Sequence, residues 1–517
     1  MPAPDNIYEN DVDFTTLALQ YPDFAKRLKS NRQLDFSDPE SVRQLTKCLL
    51  HRDFDLTVDL PEDRLCPPVP NRFNYILFIQ RLLDSTSPSF HQGFDPDRQV
   101  IGLDMSSLTY FCLYISPSRG DIWASAIYPL LACRQRPQWR FLATEIDEKN
   151  REYAQRNILT NKLQARIRLV DTDVKGDRLI PTGQLERFDR IDILLTNPPF
   201  YDSTESLVDS ARQKSRPPNS SCTGSAVEMI TPGGEVGFVS KLVAESRLPA
   251  NKTKIQWFSA MLGKLSSVGA VVESLRGSGC GNYAVTEFVQ GQKTRRWCVA
   301  WSWMGYRPPN DVARSVGSGS GVEKKLLPPI TETEFEVEVP VRGGDGPLSV
   351  LDRVAAEIQR LDGVLWKIDR ASGVGMFMAR DGDVWSRKAR RRKQEAEREH
   401  GSESQPRAKR IANEHARGSR HDADTDMKDD DDEDNDDEEP EPEPALVVRI
   451  SISPSPPSSS RSAFRGAEQT HDTPSTSTPT SALQTQNQIH MRHLQGEDPV
   501  LFESFCGWLK RKMVVAA

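Results

Sequence analysis

Residues 98–310 predict an α/β fold, a parallel sheet wound with helices, and three observations carry that prediction. Apolar runs of strand length alternate with helical patterns from Arg98 onward. Those runs are apolar almost throughout, as strands covered on both faces must be. One of them, "FDRIDILLT" at 188–196, stops abruptly at "NPPFYDS", an amide followed by two prolines and two aromatics. Open α/β sheets bind ligands beyond the carboxyl ends of their strands, so this stop is where a site is expected.

The elements follow in order. Residues 1–85 read as helical: "SDPESVRQLTKCLL" offers Asp38 as N-cap, Pro39 at the first helical position, and Val42, Leu45 and Leu49 on one face. "NRFNYILFIQRLLDS" (71–85) is a second amphipathic helix. "RQVIGLDM" is then a strand, "ASAIYPLLA" (124–132) a helix, "WRFLATEID" (139–147) a strand and "EKNREYAQRNILTNK" (148–162) a helix. "ARIRLVDTD" (165–173) and "FDRIDILLT" continue the strands, followed by "GEVGFVS" (234–240), "KIQWFSAML" (254–262) and "RRWCVAWSW" (295–303). "GSGSGVEKKLLPP" (317–329) has the composition of a linker.

Beyond it come "EFEVEVPV", a helix in "PLSVLDRVAAEIQRL", and two short strands, "GVLWKI" and "VGMFMA". Residues 386–444 are basic, then acidic, and nearly free of large apolar residues; 453–485 are rich in Ser, Thr and Pro, and both compositions predict disorder. Two islands remain, a strand "ALVVRISI" (445–452) and an amphipathic helix "DPVLFESFCGWLKRKM" (498–513). Neither can bury its apolar face alone, so both are expected to complete the unit begun at 333. The expected organisation is a helical module at 1–97, the α/β domain at 98–310 with an anomalous insertion at about 105–121, and a linker at 311–332. A small α+β domain follows, built from 333–385, 445–452 and 498–513, with 386–444 and 453–497 disordered.

Charge and cysteine usage narrow the function. The net charge of −7 conceals twelve acids and no base in residues 429–443; without that run the chain carries +5. A mildly basic body with a separate acidic run suits a nucleic-acid binder. Eight scattered cysteines without a C-x-x-C pair indicate neither a disulfide framework nor a metal site. The opening "MPAPDNIYENDVDF" lacks the apolar core of a secretory signal, and the most apolar window, "LTYFCLYI" (108–115), is far short of the roughly 20 residues that cross a bilayer. A soluble intracellular protein is expected, without membrane or metal. Nothing in the sequence sets an oligomeric state.

The stop at 197 has a chemical reading. The Asn197 carboxamide carries donor and acceptors and can hold an exocyclic amino group. Pro198 lacks an N–H, and Pro199 biases it toward extended backbone, leaving nearby carbonyls to accept from that amine. Phe200 offers a face for an extruded base, worth roughly 1–3 kcal/mol. Two acceptors on one amine turn the nitrogen lone pair toward a methyl donor, so the stretch reads as a clamp for a planar NH2 group. A bare Asn-Pro-Pro would as readily be a proline-rich turn; the aromatic and the strand before it favour the clamp. Glu145, at the end of the second strand, suits the ribose of a nucleoside cofactor, or else is a solvated helix cap. Asp104, ending the first strand, and Asn197 itself are further candidate cofactor contacts. The glycine-rich loop expected after the first strand is missing. Asp104 and Glu145 stand 41 positions apart, whereas dinucleotide folds place the equivalent acid about 20 on.

Taken together, "VPNRFNYI", "GLD…ASAIYPLL", "FLATEID", "TNPPFYDS", "PGGEVGFVSKLV", "WFSAMLGK" and "TEFVQGQKTRRWCVAWSW" resemble, collinearly over roughly 15–305, the eukaryotic U6 small nuclear RNA adenine-N6 methyltransferases. These are related to bacterial enzymes acting on 23S ribosomal RNA. The resemblance implies a class I, Rossmann-like, S-adenosylmethionine-dependent fold, an N-terminal module that holds structured RNA, and a C-terminal RNA-binding domain. By position it makes Asn197, Pro198, Pro199 and Phe200 the catalytic clamp, and gives Arg72 the cofactor's carboxylate and Glu145 its ribose. Lys175 falls where the family has a mobile loop. The family's Asp-Ile-Gly-Thr-Gly-like loop is replaced here by "DMSSLTYF…RGDIWAS" between intact flanks, the pattern an uncalled intron would leave.

The expected function is therefore RNA adenine-N6 methyl transfer, with U6 small nuclear RNA as target and the nucleus, or nucleus and cytoplasm together, as compartment. "RKARRRK" (387–393) would serve as an import cluster, and "QKTRRW" (292–297) and "RQKSRPP" (212–218) as phosphate contacts. Two other readings keep part of this: a pseudoenzyme that binds RNA without the glycine loop, and a methyltransferase acting on a protein glutamine. The basic clusters speak against the second.

Overall fold

The computed structural model describes residues 6–62, 66–91, 93–105, 126–145, 148–170, 178–199, 201–203, 231–290, 294–338, 347–392, 394–395, 443–454 and 486–514. Helix α1 (Phe14–Gln20) is capped by Asp13, and α2 (Pro39–Phe54) by Asp38, whose carboxylate accepts from the backbone N–H of Glu40 and Ser41 with Pro39 in the first turn. Helix α3 (Val69–Ser85) is not amphipathic as its sequence predicts. It is buried on nearly every side, including Asn71, Arg72, Gln80 and Asp84. Two of these polar groups find partners there: Gln80 donates to Gln135 at 2.7 Å, and Asp84 accepts from Arg136 at 2.7 Å.

The cause is the neighbouring sheet. Strands β1 (Val100–Asp104), β2 (Trp139–Thr144), β3 (Ile167–Val170), β4 (Ile191–Thr196), β5 (Ile255–Leu262), β6 (Tyr283–Gln290), β7 (Thr294–Trp301) and β8 (Arg314–Ser315) lie in the order β3-β2-β1-β4-β5-β7-β6-β8. The first five are parallel, and β7 enters antiparallel between β5 and β6. Helices α4 (Ile127–Gln135), α5 (Glu148–Thr160), α6 (Gly234–Ser246) and α7 (Leu265–Gly277) cover it. One core joins Tyr75, Ile76 and Ile79 of α3 to Ile193, Leu195 and Trp257 of the sheet, so the N-terminal helices do not form a body apart. Gly102 is required by packing: a Cβ there would stand 2.2 Å from the Phe141 ring on the paired strand.

Two expectations fail here. "GEVGFVS" is the start of α6, not a strand. Phe238, Val239, Leu242 and Val243 are buried at helical spacing, and Gly233 and Gly234 make the turn into it at φ 71° and 60°. The supposed linker at 311–332 is also structured. It contains β8 and a 3-10 turn at Lys324–Leu326, whose Leu326 packs into the second core of the sheet.

By contacts the chain divides into one unit of Met1–Thr333 with Arg492–Pro499 and another of Glu334–Met491 with Val500–Ala517. The second contains β10 (Val364–Asp369), β11 (Val374–Ala379) and β12 (Leu446–Pro454), with α8 (Pro347–Ile358) and α9 (Pro499–Val514) over a core that includes Phe377, Trp385, Ile450 and Phe505. Its sheet runs β10-β11-β12-β13-β9, where β9 is Glu332–Glu338 and β13 is Gln486–Gln495. Strand β13 corrects the expectation that 453–497 is disordered throughout. Its sequence, "QNQIHMRHLQ", offers only Ile489, Met491 and Leu494 as apolar inward residues, so composition conceals it. Residues 387–392, also placed in a disordered stretch, are helical. Most of 386–444 and 453–485 lies outside the described residues. Among those described, no helix is long and apolar enough to cross a membrane.

Candidate active site

Parallel pairing brings the expected site residues to one edge of the sheet. Asp104 pairs with Ala143 on β2 and Leu195 on β4, so Glu145 and Asn197 each follow two residues beyond its partners. The strand ends are fastened together. The Met105 N–H donates to Leu195 O at 2.9 Å, the Thr196 hydroxyl to Met105 O at 2.9 Å, and the Thr144 hydroxyl to Asp104 O at 3.2 Å. Behind them the hydroxyls of Tyr75 and Ser259 lie 2.8 Å apart, with Ser259 donating to Leu194 O and Tyr75 to Thr196 O. This buried chain ties α3 to the end of β4 just before Asn197.

Asn197, Pro198 and Pro199 are all buried at that end; Phe200 lies outside the described residues. The Arg72 guanidinium, 4% exposed, donates to the Tyr128 hydroxyl at 2.7 Å and, over a long 3.5 Å, to Asn197 Oδ1. It also reaches Met261 Sδ at 3.4 Å. A carboxamide oxygen has two lone pairs, so Asn197 keeps one for an incoming amine. Burial lowers the Arg72 pKa from the usual guanidinium value; nearby Asp104 opposes the shift and Arg296 adds to it. Burial is also the largest influence on Tyr128, raising its hydroxyl pKa above the ordinary phenol value. Glu145 is 5% exposed, which rules out a solvated cap.

The donor set suits S-adenosylmethionine. A buried guanidinium would take the carboxylate of its amino-acid arm, and the acids ending β1 and β2 would take its ammonium and ribose hydroxyls. Among the described residues no group of His, Cys, Asp and Glu could hold a metal ion. The replaced glycine loop (106–125), Lys175 and the basic stretch 212–218 fall outside the described residues. Arg295, proposed as a phosphate contact, is engaged with Glu287 at 2.6 Å. Sequence reasoning missed Tyr128, Met261, Tyr75 and Ser259. Each stands alone in an apolar segment with nothing to mark it as polar contact or site wall.

A doubly wound sheet with an antiparallel β7, an Asn-Pro-Pro stop after β4 and a buried arginine behind it defines a Rossmann-like methyltransferase. The model of a family described as RNA methyltransferase matches residues 3–305, more than half of the chain, and the chain belongs to that family. The resemblance read from the sequence is thus borne out. The chain is 39% identical over 289 residues to the U6 small nuclear RNA (adenine-(43)-N(6))-methyltransferase of Schizosaccharomyces pombe, covering 56% of this chain and 67% of that one. It is 36% identical over 310 residues to the RNA N(6)-adenosine-methyltransferase METTL16 of Homo sapiens, covering 59% of this chain and 50% of that one. A crystal structure of the hMettl16 catalytic domain in complex with MAT2A 3'UTR hairpin 1 aligns with a TM-score of 0.48 at 32% identity, over 61% of this chain and 98% of that one. The chain therefore spans about two thirds of the yeast relative and half of the human one.

Proposed function

We propose that the protein is an S-adenosylmethionine-dependent RNA adenine-N6 methyltransferase that acts on U6 small nuclear RNA in the nucleus. The observation that carries the reading is the Asn197 carboxamide, buried at the end of β4 with Arg72 on its oxygen and two prolines after it. The names of the yeast and human relatives support adenine N6 as the acceptor. S-adenosylmethionine would supply an electrophilic methyl group, with Arg72, Asp104 and Glu145 holding its polar arms. The protein's own work is positional. The free lone pair of Asn197 Oδ1 and a carbonyl beside Pro198 accept the two N6 protons, and Phe200 stacks on the flipped base. That arrangement aims the nitrogen lone pair out of the clamp. No strong base is needed, because the nitrogen becomes acidic only as it is alkylated.

Asn197→Ala removes the acceptor and leaves the RNA-binding surfaces in place. Methyl transfer to a U6 hairpin should fall by about 10²–10³-fold, as for the loss of one preorganised polar group. The RNA dissociation constant should stay within about twofold, since the clamp holds a single base. Turnover retained by this variant would contradict the assignment.

A further inference from the structure

Lysine is a poor choice to start a helix, yet Lys264 is the N-cap of α7 and makes no side-chain capping bond. Small oxygen-bearing side chains are preferred at that position, and a cation there faces the positive end of the helix dipole. The turn that leads into the helix is held instead from α6. The Glu235 carboxylate, 2% exposed, accepts from the N–H of Gly263 at 2.7 Å and of Lys264 at 3.0 Å. Burial raises its pKa above the usual carboxylate value. A lysine that breaks the local rule and needs a buried carboxylate to anchor its backbone is a candidate for function.

Its location says which. Gly263 and Lys264 follow β5, the parallel neighbour of β4, where Thr196 pairs with Ala260. The side chain of Lys264 is exposed, and its ammonium lies 5.5 Å from the centre of the Tyr201 ring. Tyr201 comes directly after the Asn197–Phe200 stretch, and its carbonyl is held by the Thr231 N–H at 2.8 Å. The ammonium is thus placed against the residue that follows the clamp, and its three donors remain able to serve an oxyanion.

We propose that Lys264 binds the RNA phosphate flanking the flipped adenosine, and that Glu235 and Tyr201 are positioning residues that aim it. The assignment rests on the RNA methyltransferase reading above. A nucleotide turned out of a stack exposes its flanking phosphates at the mouth of the pocket. A lysine at that mouth would fix the backbone without reading sequence.

The test uses the full chain and a fluorescein-labelled RNA hairpin with one unpaired adenosine, titrated from about 50 to about 200 mM salt. Lys264→Ala should weaken binding by about fivefold at the low end, a typical loss for one exposed charge contact. It should also flatten the plot of log affinity against log salt by about 0.7–0.9, the share of one phosphate. Lys264→Arg should restore the slope. Glu235→Ala should reproduce part of the slope change, and Glu235→Gln, which keeps an acceptor, should recover it. An unchanged slope in Lys264→Ala would overturn the proposal. So would weaker S-adenosylmethionine binding by calorimetry with the RNA slope intact, which would give the ammonium to the cofactor. Because binding is read directly, a wild-type chain that transferred no methyl group would refute the enzymatic reading while leaving this measurement decisive.

Discussion

Arg72 costs this fold stability. A guanidinium taken almost wholly out of water loses several kcal/mol of hydration, and neighbours recover that only in part. Tyr128, Asn197 and Met261 sit around it in a pocket that an apolar side chain of similar length could fill. Arg72→Met should therefore leave the ligand-free melting temperature unchanged or slightly raised. The stabilisation that S-adenosylmethionine confers, about 2.7 kcal/mol at a hundredfold excess over its dissociation constant, should vanish. Thermal denaturation with and without the cofactor checks both halves, and a ligand-free melting temperature that falls steeply would make the arginine structural. The sequence pointed to Arg72 only through the family resemblance; as residue chemistry it is one arginine in an apolar helix. The place of Asn197, buried where an apolar strand stops, was legible unaided, and its clamp role is the reading proposed above. Tyr128 was not, since its role depends on α4 reaching α3 across 56 positions of chain.

At the level of elements, legibility followed apolar content. Strands β1, β2, β4 and β5 were readable because most of their residues are apolar and buried on both faces, and α2 because Asp38 and Pro39 mark its start. Helix α6 was misread because seven residues of "GEVGFVS" fit either period. Strand β13 was invisible because its buried positions include Asn487, His493 and Gln495. His493 makes that concealment testable. It is 1% exposed, its ring Nε2 lies 3.1 Å from Gln495 O, and its backbone N–H donates to Thr331 O at 2.8 Å. Burial, aided by the charge of Arg307, lowers its pKa from 6.5 to about 3. The folded state thus refuses a proton that the unfolded chain accepts. The resulting stability is fully present above pH 6.5 and is lost as pH falls toward 3, by at most about 1.4 kcal/mol per unit. His493→Gln keeps a polar partner and cannot charge, so it should flatten this acid limb in urea denaturation at pH 7 and pH 4.5. Equal losses in wild type and variant would mean that the imidazole does not carry the effect.

Over the whole molecule, the main question is how a chain of net charge −7 handles a polyanion. Ala379 at the end of β11 pairs with Leu446 at the start of β12, and the Ala445 N–H donates to Arg380 O at 3.2 Å. The chain therefore leaves and re-enters the second sheet at one point, with the acidic run carried in the connection between them. Trp385, before that run, packs on Phe505 and donates to Ser504 at 3.1 Å, so the second core holds the chain where the connection begins. Substituting Ser and Gly for residues 429–442 keeps the loop length, removes eleven acids and takes the net charge from −7 to +4. Loop closure is unchanged by such a replacement, so the melting temperature should hold. RNA affinity should rise several-fold at about 50 mM salt, because a tethered anion competes with phosphate for the basic body. The gain should shrink above about 150 mM, where the screening length falls to about 8 Å. Fluorescence titration of a U6 hairpin across that range measures it. Affinity unmoved at low salt would show that the acids never reach the RNA surface, and loss of the second unit's folding would show that they belong to its structure.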